Sequence, residues 1–514
     1  MNDALAAART VPEMLAAAVA AADPGAASLV AADGTALSFA DLGAALARLR
    51  GDLRRLGVGR QDRVVALLPN GAGEALLLLA LLDACVAAPI DPRAPDPEFR
   101  ALVGRIRPRA LIAFPAQAER TAAVAADLGV PLLRVAASPS PFGVALEGAP
   151  AGPPAPETAA APGDVAALIC TSGTSGRAKI VVRAHRSLAA AVLPELGEMG
   201  LRPGDRTLLL PPVVYAYGQH LLLRSVIGGT AAVCPDPALP EDPAGLVARF
   251  DPTWLQLAPA MLAALLPTLA AGAAPSLRVV RCGSTDFPDA LRHRVAATLG
   301  IPLHNAYGLS EATHLTFESA ERPHRPGSVG PLFREVRVVD DDGRPLPEGE
   351  TGEIQTRGDH VVPGYWDDPE LTARAFLPDG WFRTGDRGRI VDGYLELAGR
   401  TDDVINRGGS KVDPQEVEAV LAAHPAVAEA AVFAVPDPRL GQEVAAAVVL
   451  RPGTAASPRE LRRWLLDRVG PDKVPRKVRF VEALPRNANG KVSRRALAEA
   501  AAAPDRPPTA PPLA

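Results

Sequence analysis

The sequence predicts an α/β protein, with a large N-terminal domain of two α/β subdomains plus a β-rich lobe and a small α+β C-terminal domain. Three observations carry that reading. A chain of 514 residues exceeds what one ordinary core can organise and predicts roughly two to four domains or subdomains. Apolar runs of strand length alternate with helical patterns to about residue 320, as expected for a largely parallel sheet. Beyond that point the runs shorten and are bounded by turn residues such as Asp341-Asp342-Gly343, which suits β-structure.

In chain order, a helical pattern over 37–56 is followed by a buried strand at 63–68, a second helix at 74–85 and the run Ala87-Ala88-Pro89-Ile90. Residues 136–163, rich in Pro, Ala and Gly, read as a surface connection, and another alternating lobe follows. Short strands at 336–340, 352–356 and 393–397 form the β-rich lobe, which ends near Gly399. A last segment has helices at 414–424 and 458–469 and strands at 429–435 and 444–450. The domains expected are 1–400 and 401–497, followed by a Pro- and Ala-rich tail, 498–514, expected to be disordered.

A net charge of -4 from nearly balanced acids and bases gives no global basic field, so neither nucleic acid nor an anionic membrane is an expected partner. Cys85, Cys170, Cys234 and Cys282 lack metal-ligand spacing and read as reduced core thiols. Asp3, Arg9 and Glu13 interrupt the alanine-rich start, so no secretory signal is read there. The apolar stretch 75–88 contains Asp83 and is shorter than the roughly 20 residues a spanning helix needs. A cytoplasmic protein with no membrane span is expected.

The stretch that points most directly to chemistry is Thr171-Ser172-Gly173-Thr174-Ser175-Gly176-Arg177-Ala178-Lys179, directly after the apolar run 165–169. Glycines let backbone N–H groups approach an anion, and hydroxyls and an ammonium add donors and charge. It is not a P-loop: counted from Gly173, the second glycine position holds Ala178, and Ile180 follows the lysine in place of Ser or Thr. A polar hairpin turn between two strands would also fit the stretch taken alone.

Four further stretches follow in order: 305–311 (Asn305, Ala306, Tyr307, Gly308, Leu309, Ser310, Glu311), 380–386 ending in Asp386, 399–403 with Arg400, and 485–491 ending in Asn489-Gly490-Lys491. Together the five resemble the adenylate-forming superfamily of acyl-CoA synthetases, adenylation domains and firefly-type luciferases, over about residues 35–497. The resemblance implies ATP and Mg²⁺ as cofactors and a C-terminal domain that is mobile. By it, the loop 171–179 covers the β and γ phosphates, Tyr307 stacks on adenine, and Ser310 meets phosphate. Glu311 holds Mg²⁺, Asp386 accepts the ribose hydroxyls, Arg400 supports the ribose and phosphate side, and Lys491 bridges the carboxylate and the α-phosphate. Gly283-Ser284-Thr285 resembles the adenine wall, although Cys282 stands where a glycine is usual. Ala178 and Ile180 likewise stand where proline and glycine are common in the family's loop, departures that touch stiffness more than charge.

The same resemblance implies a second step, in which the C-terminal domain swings about Asp402 and a thiol attacks the acyl-adenylate. Arg407, Gly408, Gly409 and Lys411 match the loop lining the pantetheine tunnel. The acceptor is coenzyme A or a phosphopantetheinyl carrier protein; Arg462, Arg463, Arg468, Arg476 and Arg479 could meet either, or form a solvated basic face. The segment 211–220 contains no acid to pair with an α-ammonium, so the substrate is expected to be an aryl or small-to-medium hydrophobic acid without an α-amino group. Tyr215, Tyr217, Gly218 and His220, with Gly283, Ala306, Gly308 and His314, are its candidate pocket. An oxygenase of the luciferase kind and a non-catalytic binding protein are the alternatives to an acid–thiol ligase.

Overall fold

A computed structural model describes residues 3–171, 178–235, 242–270, 272–283, 289–400, 403–407, 410–486 and 492–502. Ser172, Gly173, Thr174, Ser175, Gly176, Ser284, Thr285, Asp402, Gly408, Gly409, Lys491 and the end of the tail lie outside the described residues. The chain divides into two compact units, residues 1–336 with 356–382, and residues 337–355 with 383–514.

The first unit is built on an eight-stranded sheet in the spatial order Gly364–Tyr365, Lys179–Ala184, Val165–Thr171, Val86–Ile90, Arg63–Leu67, Ala110–Ala113, Leu132–Val135 and Leu146–Glu147. Its centre is parallel and both edges are antiparallel. The strand Arg63–Leu67 explains why the run was legible as buried: Val64 and Ala66 enter one core cluster while Val65 and Leu67 enter another. A sheet covered on both faces needs apolar residues at every position. The helix Ala72–Ala84 is buried all round, as its nearly uniform Ala and Leu content requires. Of its two acids, Glu74 lies in the first turn, and the buried Asp83 is met by Arg50 Nη1 at 3.0 Å.

The second lobe of this unit holds the parallel strands Trp254–Leu257, Val279–Gly283 and Leu303–Ala306, and a four-stranded sheet in the order Arg206–Leu208, Ala231–Cys234, Ala27–Ala31 and Ala36–Ser38. In the three-stranded sheet Leu255, Val280 and Leu303 face the core, so Gln256, Arg281 and His304 point to the opposite face. That face carries polar chemistry inside the protein.

The second unit contains most of a four-stranded sheet ordered Glu335–Val339, Gly352–Arg357, Phe382–Val391 and Tyr394–Arg400. A five-stranded sheet follows, in which Gly441–Leu450 pairs with Val427–Asp437, Ile405–Arg407 and Lys477–Phe480. The helices Pro414–Ala422 and Pro458–Leu466 bury Val417, Leu421, Leu461 and Leu465 in its core. Both start with Pro inside the first turn, after Asp413 and Ser457 caps, and the second has a full Ser457–Glu460 capping box.

Candidate active site

In the first unit the loop grows from an antiparallel hairpin whose last register pair is Thr171 opposite Lys179. Thr171 Oγ1 donates to the Lys179 carbonyl at 3.5 Å, closing the base. The neighbouring edge strand Gly364–Tyr365 brings Tyr365 beneath the lysine, with Lys179 Nζ 5.5 Å from the ring centroid. The Tyr365 hydroxyl donates to Glu311 Oε1 at 2.9 Å, and the Val362 N–H donates to the Glu311 carbonyl at 2.9 Å. Lys179 and Glu311 are therefore joined through one phenol that sequence reasoning missed. Its only signal was an aromatic after Gly364.

Glu311 leaves a tight hairpin in which Gly308–Leu309 pairs with Thr313–His314. A Cβ at Gly308 would lie 1.9 Å from the Thr313 carbonyl oxygen, so only glycine fits. Thr313 holds φ 54, an unusual state for a β-branched residue, and lies next to the functional segment. Tyr307 is half-buried and its N–H donates to Thr316 Oγ1 at 3.1 Å; Ser310 and Glu311 are also half-buried. Asn305 and Ala306 are buried, and the Asn305 N–H donates to Glu318 Oε2 at 2.7 Å.

The pocket residues separate into two groups. A Cβ built on Gly283 would lie 3.2 Å from the Tyr217 ring and 3.4 Å from the Ala306 carbonyl oxygen, so these three meet. Tyr217 and His220 lie on the helix Ala216–Ile227, whose first turn packs so closely that a Cβ on Gly218 would meet the Pro212 carbonyl oxygen at 2.2 Å. Tyr215 turns elsewhere: its hydroxyl donates to Asp91 Oδ2 at 2.9 Å, and the same carboxylate receives Arg93.

His220 and His314 belong to a buried charged network. Arg183 donates to His220 Nε2 and, at 3.0 Å, to Gln219 Oε1. His314 Nδ1 lies 2.8 Å from Glu195 Oε1, and Arg224 donates to Glu195 Oε2 at 2.7 Å and to Gln256 Oε1 at 2.9 Å. Burial, reinforced by Arg183 and Arg224, holds His220 well below the ordinary histidine range, so its ring is neutral. Burial opposes the ionisation of Glu195, but His314 and Arg224 outweigh it and bring its carboxyl to about 2. Burial draws Arg183 down to about 9, which still leaves it charged at neutral pH. The side chains around His220 and His314 are thus polar and charged.

In the second unit, Asp386 and Arg400 are register partners on adjacent strands, and Arg400 Nε donates to Asp386 Oδ1 at 3.0 Å. Asp386 is fixed from behind: its N–H donates to Thr384 Oγ1 at 3.0 Å, and that hydroxyl donates to the Ile354 carbonyl at 2.8 Å. Arg407 donates to both carboxylate oxygens of Glu443, at 2.6 and 3.2 Å, and lies 3.2 Å from Asp472. These bonds raise Arg407 above its ordinary value. Lys411 is the register partner of Asn406 in the short hairpin that follows. Arg494 donates to Asp403 at 3.0 Å and to Glu418 at 2.8 and 2.9 Å, joining the residue after Asp402 to the helix that follows Lys491.

Among the described residues no cluster of three or more His, Cys, Asp or Glu side chains is placed to hold a metal. The hard carboxylate oxygens of Glu311 fit Mg²⁺, which takes one or two protein carboxylates and completes its shell with phosphate and water. No helix among the described residues is long and apolar enough to cross a membrane.

Residues 16–366 match the AMP-binding enzyme family, and residues 416–491 match the AMP-binding enzyme C-terminal domain. The chain is 34% identical to a sulfoacetate–CoA ligase of Cupriavidus necator, over 90% of this chain and 92% of that protein. It is 34% identical to a feruloyl-CoA synthase of an Amycolatopsis species, over 89% of this chain and 93% of that one. Its fold is similar to the crystal structure of ATP-bound MatB from Rhodopseudomonas palustris, with a TM-score of 0.86 and 27% identity, covering 96% of this chain and 99% of that one.

Proposed function

The chain belongs to the family of AMP-binding enzymes, and from that membership we propose that it is an ATP-dependent carboxylic acid ligase that makes an acyl thioester. In the first step a carboxylate oxygen attacks the α-phosphorus of ATP, the bond to the bridging oxygen breaks, and pyrophosphate leaves. Two anions must approach, so fixed positive charge has to offset their repulsion. Lys491 does this at the reacting atoms, and Lys179 with the loop 171–176 neutralises the departing phosphates. Tyr307 and Gly283-Ser284-Thr285 hold adenine, Ser310 meets phosphate, and Asp386 and Arg400 hold the ribose. Mg²⁺ held by Glu311 would supply further neutralisation of the phosphate charge. In the second step the thiol sulfur bonds to the acyl carbon, AMP leaves, and the thiol proton passes to solvent. Asp402 is the hinge between the steps, and Arg407, Gly408, Gly409 and Lys411 line the thiol's path.

The observation that carries this reading is the union of Lys179 and Glu311 through Tyr365 at the base of the phosphate loop. Coenzyme A is the favoured acceptor, in keeping with relatives named as CoA ligases; a phosphopantetheinyl carrier protein is the alternative. Those relatives act on different acids, so their names do not assign this one. The absence of an acid in 211–220 supports a substrate without an α-amino group. ATP–pyrophosphate exchange over an acid panel tests the first step, and acyl transfer to coenzyme A against a phosphopantetheinylated carrier protein tests the acceptor. Exchange with no acid would overturn the reading.

A further inference from the structure

We propose that the acid activated here carries a second anionic group, a carboxylate or sulfonate, which Arg183 receives at the floor of the acyl pocket with Arg281 in support. The proposal rests on the acid-ligase reading above and names its substrate class.

Three guanidinium groups are buried around the helix Ala216–Ile227 and the polar face of the three-stranded sheet: Arg183 at 1%, Arg224 at 0% and Arg281 at 3% exposure. Buried charges are stable when paired. Arg224 has its carboxylate in Glu195. The other buried acid of this region, Glu318, is taken by Arg292 at 3.0 Å and by His324 at 3.0 Å. Among the described residues, the partners of Arg183 are neutral, an amide oxygen and an imidazole nitrogen. Arg281 donates to the Asn305 carbonyl at 3.4 Å and lies 3.8 Å over the Phe317 ring. The region therefore holds more buried positive than negative charge.

The donors left over specify the missing partner. Arg183 Nε and Gln219 Nε2 are buried without a hydrogen-bond partner, and the two side chains are already joined at 3.0 Å. Two adjacent donors without acceptors in a positive environment call for an acceptor-rich anion. Their place is given by His220, which Arg183 meets and which lies one helical turn after Tyr217 on the same face; Tyr217 meets Gly283, and Arg281 lies on the same sheet face as Gly283. A purely hydrophobic acid would leave these groups unpaired.

The test compares matched acids by ATP–pyrophosphate exchange: benzoate against terephthalate and 4-sulfobenzoate, and butyrate against succinate. At least one dianion is expected to exceed its monoanionic partner by about 100-fold or more in kcat/KM. Arg183→Met is expected to reduce that ratio at least about tenfold, with Arg183→Lys recovering part of it. Should Arg183→Met fail to fold by circular dichroism, the wild-type ratios decide alone. Monoanions turned over as well as or better than their dianionic partners would overturn the proposal and leave the ligase reading intact. Exchange with none of the acids would overturn both.

Discussion

Lys179 and Glu311 come from distant parts of the chain, and a single phenol joins them: the Tyr365 ring lies under the ammonium and its hydroxyl holds the carboxylate. This makes Tyr365 a positioning residue for the phosphate side of the site. Tyr365→Phe keeps the ring and loses the bond to Glu311. Exchange activity should fall about tenfold, most strongly at limiting Mg²⁺, with thermal stability nearly unchanged. An equal loss at all Mg²⁺ concentrations would separate Tyr365 from Glu311. The five motifs were readable as marks of the family because residue type and order sufficed. Tyr365 was not, because its role comes from an edge strand pairing with Lys179–Ala184, and nothing local announces that pairing.

At the scale of elements, the strand pair Phe382–Val391 and Tyr394–Arg400 sets Asp386 opposite Arg400 by register alone. Asp386→Ala should raise the KM for ATP about tenfold or more, since the ribose loses both its acceptor and the group that orders Arg400. Equilibrium nucleotide binding checks this independently of turnover. In the proposed cycle Asp402 is the hinge, and Asp403, which follows it, is secured by Arg494. Asp402→Pro should therefore leave adenylation in place and block thioester formation, as single-turnover measurement of the two steps will reveal. Alternation of strands and helices made the central sheet readable, because Val64 through Leu67 must be apolar when both faces are covered. The strand Ala27–Ala31 escaped notice because it pairs in parallel with Ala231–Cys234, far along the chain. The contact of Arg183 with His220 escaped for the same reason: the two meet across 37 residues on two different elements.

At the scale of the whole molecule, stability and specificity share one buried network. Glu195, held at about 2 by His314 and Arg224 against the cost of burial, has a folded value below its ordinary 4.5. The stability it contributes is therefore present above about pH 4.5 and is lost as the pH falls toward 2. Glu195→Gln should cost about 3–5 kcal/mol at pH 7, measured by urea unfolding, because Arg224 loses the one carboxylate it meets among the described residues. The penalty should shrink between pH 5 and 2, and a pH-independent penalty would contradict the pairing. Each of these cations, read alone in the sequence, resembles an ordinary helix or strand residue; only the fold collects them.

Acid-dependent ATP–pyrophosphate exchange, run on the wild type and on Lys491→Ala, tests the central chemistry most directly. We predict exchange with at least one acid lacking an α-amino group, reduced about 1,000-fold or more in Lys491→Ala. Exchange with no acid, or exchange undiminished in a folded Lys491→Ala protein, would contradict it.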